Sequence, residues 1–141
     1  YLIAKIIIKA AKLHIEKRTS ITSLIDNLVQ PVEEQEFRIK LLDNDFASQG
    51  KKIIEELLKY SQKVNGWSVV PKSYEGVRIS CKDEKQKGWF LLRLSLHDPV
   101  LPLNIESEVA GGVKEITKQI EFFLNTVENI DYAKIAGYIK D

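Results

Sequence analysis

The stretch Gly88–Glu106, GWFLLRLSLHDPVLPLNIE, reads as a strand, a polar loop and a second strand. Trp89 to Leu94 carries apolar residues on both parities, the pattern of a strand covered on both faces. Arg93, Ser95, His97 and Asp98 follow in quick succession, and Pro99 comes at once after them. Leu101, Leu103 and Ile105 then restart an alternation, with Pro102, Asn104 and Glu106 on the other face. A hydrophobic hairpin therefore lifts a guanidinium fork, a hydroxyl and an imidazole to one rim, with backbone N–H groups beside them. Such donors suit a phosphate. Residue types alone do not separate that reading from a solvated loop.

Working upstream, Asp83 to Lys87 is a charged turn, and Val77 to Lys82 is a strand with Val77, Ile79 and Cys81 inward. Glu75-Gly76 turns into that strand, and Trp67 to Val70 is a short strand or extended segment ended by Pro71. A helix is predicted from about Phe46 to Val64, with Ile53, Ile54, Leu57 and Leu58 buried and Asn65-Gly66 as its left-handed stop. Asp43-Asn44-Asp45 caps it; the Gly and Glu that a calcium loop needs at fixed later positions are absent. Glu36 to Leu42 alternates as a half-exposed strand, with Phe37, Ile39 and Leu41 on its apolar side.

The chain begins with two helical segments. Tyr1 to Lys17 places Leu2, Ile3, Ile6, Ile7, Ala10 and Leu13 on one side. Ile21 to Val29 is a shorter helix with Leu24, Ile25 and Leu28 inward, stopped by Pro31. Downstream of the hairpin, Gly111-Gly112 opens a helix whose face is Val113, Ile116, Ile120, Phe123, Leu124 and Val127. That glycine pair lacks the partners of a phosphate cradle. Asp131 caps a last helix bearing Tyr132, Ile135 and Ile139. The order is helix, helix, strand, helix, three strands, helix, helix. Short turns between strands favour an α+β fold, an antiparallel sheet of about four strands with helices packed on one face.

The 141 residues suffice for one domain with a real core, and 21 basic against 20 acidic side chains give a net charge of +1. That balance argues against a nucleic-acid partner. The single cysteine, Cys81, forms no internal disulfide and reads as an inward strand residue. Leu2 to Leu13 is too short and too rich in lysine to span a bilayer, so no membrane partner and a cytoplasmic location are expected. His14 stands without a second metal ligand nearby. The chain has no methionine and opens inside a helical run, which leads to the expectation of a segment of a longer protein.

Arg93-Leu-Ser-Leu-His-Asp-Pro99, with Glu106 seven residues after Pro99, resembles the C-terminal phosphate-binding loop of the α-D-phosphohexomutases. These are the phosphoglucomutases and phosphomannomutases, whose usual form is Arg-Pro-Ser-Gly-Thr-Glu-Pro leading into a strand that ends in Val-Glu. Arg93, Ser95, Pro99 and Glu106 match; Leu94 stands for Pro, Leu96 for Gly, His97 for Thr and Asp98 for Glu. Glu75-Gly76-Val77 is similar to the Asp-Gly that precedes a hydrophobic strand in the same family.

The resemblance implies the fourth mutase domain, of a fold often compared with that of the TATA-binding protein. Residues 31–141 would form it, and residues 1–30 would close the preceding third domain and link the two. It implies that Arg93, Ser95, Leu96 and His97 bind the substrate phosphate, with Asp98 and Pro99 supporting the loop. Asp98 would brace it by accepting hydrogen bonds from the backbone or from Arg93. The serine loop, metal loop and sugar loop of the family are absent, so this chain alone is expected to be inactive and to hold no cofactor. In a full-length enzyme the implied partners are a hexose phosphate, the other domains and Mg2+. A free sugar phosphate would bind weakly, on the order of millimolar. The alternative is a non-enzymatic binding module that kept the fold and lost the sugar phosphate, which Leu96 and His97 favour.

Overall fold

A computed structural model describes residues 2–26 and 30–140. The chain divides into two compact units, Tyr1–Gln30 and Pro31–Asp141.

In the first unit, α1 spans Leu2–Lys17 and one 3-10 turn follows at Ile21–Leu24. Leu13 is buried, whereas Leu2, Ile3, Ile6 and Ile7 stay exposed. Over the described part of the second helix expected at Ile21–Val29, residues 21–26, that turn stands in its place, and Leu24 and Ile25 are 55% and 58% exposed rather than inward. The cause is local. Ser20 accepts from the Thr22 amide and Ser23 Oγ donates to the Ser20 carbonyl at 2.7 Å, so short hydroxyl side chains take backbone partners that a longer helix needs. Leu28 and Val29 lie outside the described residues.

The second unit is α+β. Its strands are β1 Glu33–Leu41, β2 Trp67–Val69, β3 Val77–Cys81, β4 Gly88–Leu92, β5 Val100–Ser107 and β6 Ile130–Asp131. They form one six-stranded sheet in the order β2-β3-β4-β5-β1-β6, with every pairing antiparallel. The helices are α2 Phe46–Ser61, α3 Gly112–Leu124 and α4 Ala133–Lys140. The sheet has six strands rather than about four: Trp67–Val70, by sequence a short strand or extended segment, pairs with β3 as the edge strand β2, and β6 at 2 residues is too short to show a periodicity.

The pairing register aligns the core. Ile79, Phe90 and Ile105 lie side by side across β3, β4 and β5, and Leu92, Leu103 and Phe37 across β4, β5 and β1. All six are buried and share one cluster with Ile53 and Leu57 of α2, Ile116, Ile120 and Phe123 of α3, and Ile135 of α4. Cys81 belongs to that cluster, and burial pushes its thiol up to about 12. It is a packing residue with almost no thiolate at neutral pH.

β4 corrects one expectation. It is covered on one face only, by Phe90 and Leu92, while Trp89 and Leu91 are half-buried on the other. The Arg78 guanidinium lies 4.0 Å from the centre of a Trp89 ring, which shields the tryptophan without a second layer. The strand also stops at Leu92, two residues earlier than its apolar run. Further on, α2 ends at Ser61 rather than Val64, and a hydrogen-bonded turn carries the chain to Gly66 at φ +82°.

The caps are built from side chains and one long-range carboxylate. Asp45 accepts from the Ser48 amide at 3.1 Å to start α2, and Asp131 accepts from the Ala133 amide at 3.1 Å to start α4. Gly111, the residue before α3, has φ +78° and offers no side chain. Glu33 of β1 fills that role instead, accepting from the Gly111 amide at 2.6 Å and the Val113 amide at 3.2 Å. A carboxylate on a helix N-terminus ties α3 to the first strand of the sheet.

Candidate functional site

The loop Arg93–Pro99 continues the β4–β5 hairpin beyond its regular ladder. The Arg93 amide donates to the Pro102 carbonyl and the Ser95 amide to the Val100 carbonyl, each at 3.1 Å. These bonds keep strand-like alternation through the first residues of the loop. Leu92 points into the core, Leu94 packs partly buried against it, and Arg93 and Ser95 fall on the opposite parity.

Leu94 is the anchor. Its side chain seats against Gly50 in the second turn of α2, where a Cβ would overlap Leu94 Cδ1 and lie 3.3 Å from Cγ. Glycine inside a helix costs about 1 kcal/mol relative to alanine, and close packing of this loop is what offsets it. Gly50→Ala is therefore expected to destabilise the domain slightly or not at all, because the gained propensity and the displaced leucine oppose each other. In the Leu94→Ala background the same change should stabilise by about 0.5–1 kcal/mol. Urea unfolding of the four-member cycle measures the sign.

The opposite side is held by the turn before β3. Gly76 sits at φ +155°, and a Cβ there would run into the Leu92 carbonyl oxygen and come within 2.8 Å of Arg93 Cα. Glycine lets the Tyr74–Gly76 turn lie directly on the root of the loop. A cleft of about 360 Å3 results, lined by Tyr74, Glu75, Arg93, Leu94 and Leu96.

At the tip, Ser95 Oγ accepts from the Asp98 amide at 3.3 Å, and the Val100 amide donates to the Asp98 carbonyl at 2.8 Å. The bend is thus braced through the Asp98 backbone. Its carboxylate accepts no hydrogen bond among the described residues. Pro99 offers its carbonyl to the Leu41 amide at 2.8 Å, fastening the end of the loop to β1. Having accepted one bond, Ser95 still has its O–H to donate. The amides of Leu96 and His97 and the guanidinium of Arg93 have no acceptor among the described residues. Leu96, His97, Asp98 and Pro99 are exposed, and Arg93 and Ser95 are half-exposed. The loop therefore gathers free donors and buries none of them.

Two other concavities differ in chemistry. The larger, about 600 Å3, lies between the Asp43–Asp45 turn and Thr126–Asn129. Its polar groups satisfy one another: Gln49 donates to the Asn129 carbonyl at 2.8 Å, and Asn129 Nδ2 to Asp43 at 3.0 Å. A groove of about 330 Å3 on the open sheet face is lined by Glu34, Glu36 and Glu106, which repel anions. Among the described residues no three His, Cys, Asp or Glu side chains are grouped to hold a metal ion. No described helix is long and apolar enough to cross a membrane.

Neither a family model nor a curated protein matches the sequence. The solved structures do: the fold is one that occurs within the phosphoglucomutase/phosphomannomutase proteins. A protein of that family from Burkholderia thailandensis superposes on 75% of this chain with a TM-score of 0.52 and 22% identity. This chain spans 20% of that protein's length, a match to one part of a larger protein.

Proposed function

We propose that residues 31–141 are the substrate-phosphate-binding domain of a phosphoglucomutase- or phosphomannomutase-type enzyme, inactive alone and completed by other domains of a longer chain. The observation that carries this reading is the loop itself, which turns one guanidinium, one hydroxyl and two backbone amides toward solvent from a single braced bend. Residues 1–30 are then the end of the preceding domain and the link from it.

Each group has a separate task. Arg93 supplies two parallel N–H donors and the positive charge that a phosphate dianion requires. The Ser95 hydroxyl and the Leu96 and His97 amides close on the remaining oxygens, and the His97 imidazole adds a ring N–H donor. The grip holds the phosphate that is not reacting, which fixes the sugar for phosphoryl transfer elsewhere. Mg2+ belongs to that transfer in the longer enzyme; the side chains described here provide no set of ligands for it. The partners are then a hexose phosphate and the adjoining domains, in the cytoplasm. The acidic groove on the open sheet face and the net charge of +1 favour no nucleic acid.

An NMR titration with inorganic phosphate, glucose 6-phosphate and mannose 6-phosphate tests the proposal. All three are expected to shift amides of Arg93–Pro99. Arg93→Ala removes hydrogen bonds to a charged group, each about 1.5–3 kcal/mol, and should weaken binding about 10- to 100-fold. No shift at high millimolar ligand would instead favour a binding module in which exposed Leu96 has displaced the phosphate role.

A further inference from the structure

The loop does not line its cleft alone. Tyr74 and Glu75 form part of the wall and belong to another segment, the turn that Gly76 presses onto the backbone of Leu92 and Arg93. Tyr74 is 92% exposed and Leu96 87% exposed, so neither side chain serves the core. Glu75 is exposed as well, and it makes no ion pair with Arg93 among the described residues. The cleft thus offers a phenol ring, an aliphatic tip and a free carboxylate beside a free guanidinium.

Those groups divide their preferences. Inorganic phosphate uses only the donors of the Arg93–His97 loop, and the neighbouring carboxylate opposes it. A pyranose ring has an apolar C–H face and a rim of hydroxyl donors. An aromatic side chain covers the first, and a carboxylate accepts from the second. Apolar walls with a few convergent polar groups are the usual form of a small-molecule site, and about 360 Å3 lies in the range such sites occupy.

We propose that Tyr74 and Glu75 form a sugar-directed half of this site, making the cleft selective for a phosphate monoester of a polyhydroxylated ring over phosphate itself. The proposal rests on the phosphate grip described above and adds that this domain reads part of the ring. Tyr74 lies against the C–H face, Leu96 bounds the far side, and Glu75 accepts from ring hydroxyls. Arg93 sets the orientation by holding the phosphate at one end.

Titration of the 141-residue chain with mannose 6-phosphate, glycerol 3-phosphate and inorganic phosphate, followed by NMR, separates the two halves. The intact chain is expected to bind the hexose phosphate about tenfold more tightly than the two ligands without a ring. Tyr74→Ala should remove most of that preference and leave inorganic phosphate affinity unchanged. Glu75→Gln should strengthen the phosphate contact of all three ligands alike and still lower the preference, because only the hexose phosphate loses a carboxylate acceptor for its ring hydroxyls. Phosphate binding at Arg93 with no ring preference, or equal losses for all three ligands in Tyr74→Ala, overturns the sugar-directed half alone. Absence of binding by every ligand to the intact chain overturns the phosphate grip, and the sugar-directed half falls with it. Both positions are exposed turn residues, so the variants keep the fold.

Discussion

Gly76→Ala should lower the unfolding free energy of the second unit by about 3–5 kcal/mol, a loss far above that of an ordinary surface substitution. Two costs combine. At φ +155° an alanine is strained whatever space surrounds it, which is worth about 1–3 kcal/mol. Its Cβ would also overlap the Leu92 carbonyl oxygen and sit 2.8 Å from Arg93 Cα and 2.9 Å from Arg93 Cβ. The two nearest are backbone atoms, at the end of β4 and in the residue that follows it, so relief requires moving β3 away from β4 rather than turning a side chain. The melting temperature should fall by some 10–20 °C, read by far-UV circular dichroism. Gly137→Ala is the control. A Cβ at Gly137 meets nothing within 4 Å, and in the helix α4 it should be neutral or stabilise by up to about 1 kcal/mol. Because the displaced atoms include Arg93 Cα, the proposed phosphate binding should suffer even where Gly76→Ala remains folded.

How much of this was legible beforehand follows from where the information resides. The inward rows of β1, β3 and β5 were readable because each covers one face and alternates: Phe37, Ile39 and Leu41; Val77, Ile79 and Cys81; Leu101, Leu103 and Ile105. β4 was misread as covered twice, because nothing local says that Arg78, on the neighbouring strand, shelters Trp89. Glu33 as the cap of α3 is a partner 78 residues from Gly111, beyond any local signal. Leu24 and Ile25 had helical spacing, yet hydroxyl competition at Ser20 and Ser23 won.

The site shows the same division. Residue types and order at Arg93–Pro99 were visible, since donors cluster there. Which of those donors are already spent is a property of the ladder: the amides of Arg93 and Ser95 are used, and those of Leu96 and His97 are not. Tyr74 was missed because an exposed aromatic in a turn carries no pattern of its own. Gly50 left a faint trace as a glycine inside a strongly amphipathic helix, a residue that asks for a packing reason. Leu94 supplies that reason.

Phe90→Ala is expected to cost about 3–5 kcal/mol, and Trp89→Ala, one residue away with the larger side chain, about 1 kcal/mol or less. Hydropathy alone ranks the two the other way or treats them alike. Register decides. Phe90 faces Ile79 and Ile105 across the neighbouring strands, is fully buried, and meets the Trp67 ring edge-on at 4.9 Å between centroids. Truncation there leaves a cavity that Trp67, itself held by its indole N–H on Gln86 at 3.2 Å, is not free to fill. Trp89 looks out from the open face, and its loss forfeits chiefly the contact with Arg78. Urea unfolding should therefore show a large fall in midpoint for Phe90→Ala at an unchanged slope, and a small one for Trp89→Ala. Equal falls would mean that the open face of the sheet is covered after all. The free donors at Arg93 would then lie at the edge of a buried surface rather than on a solvated rim.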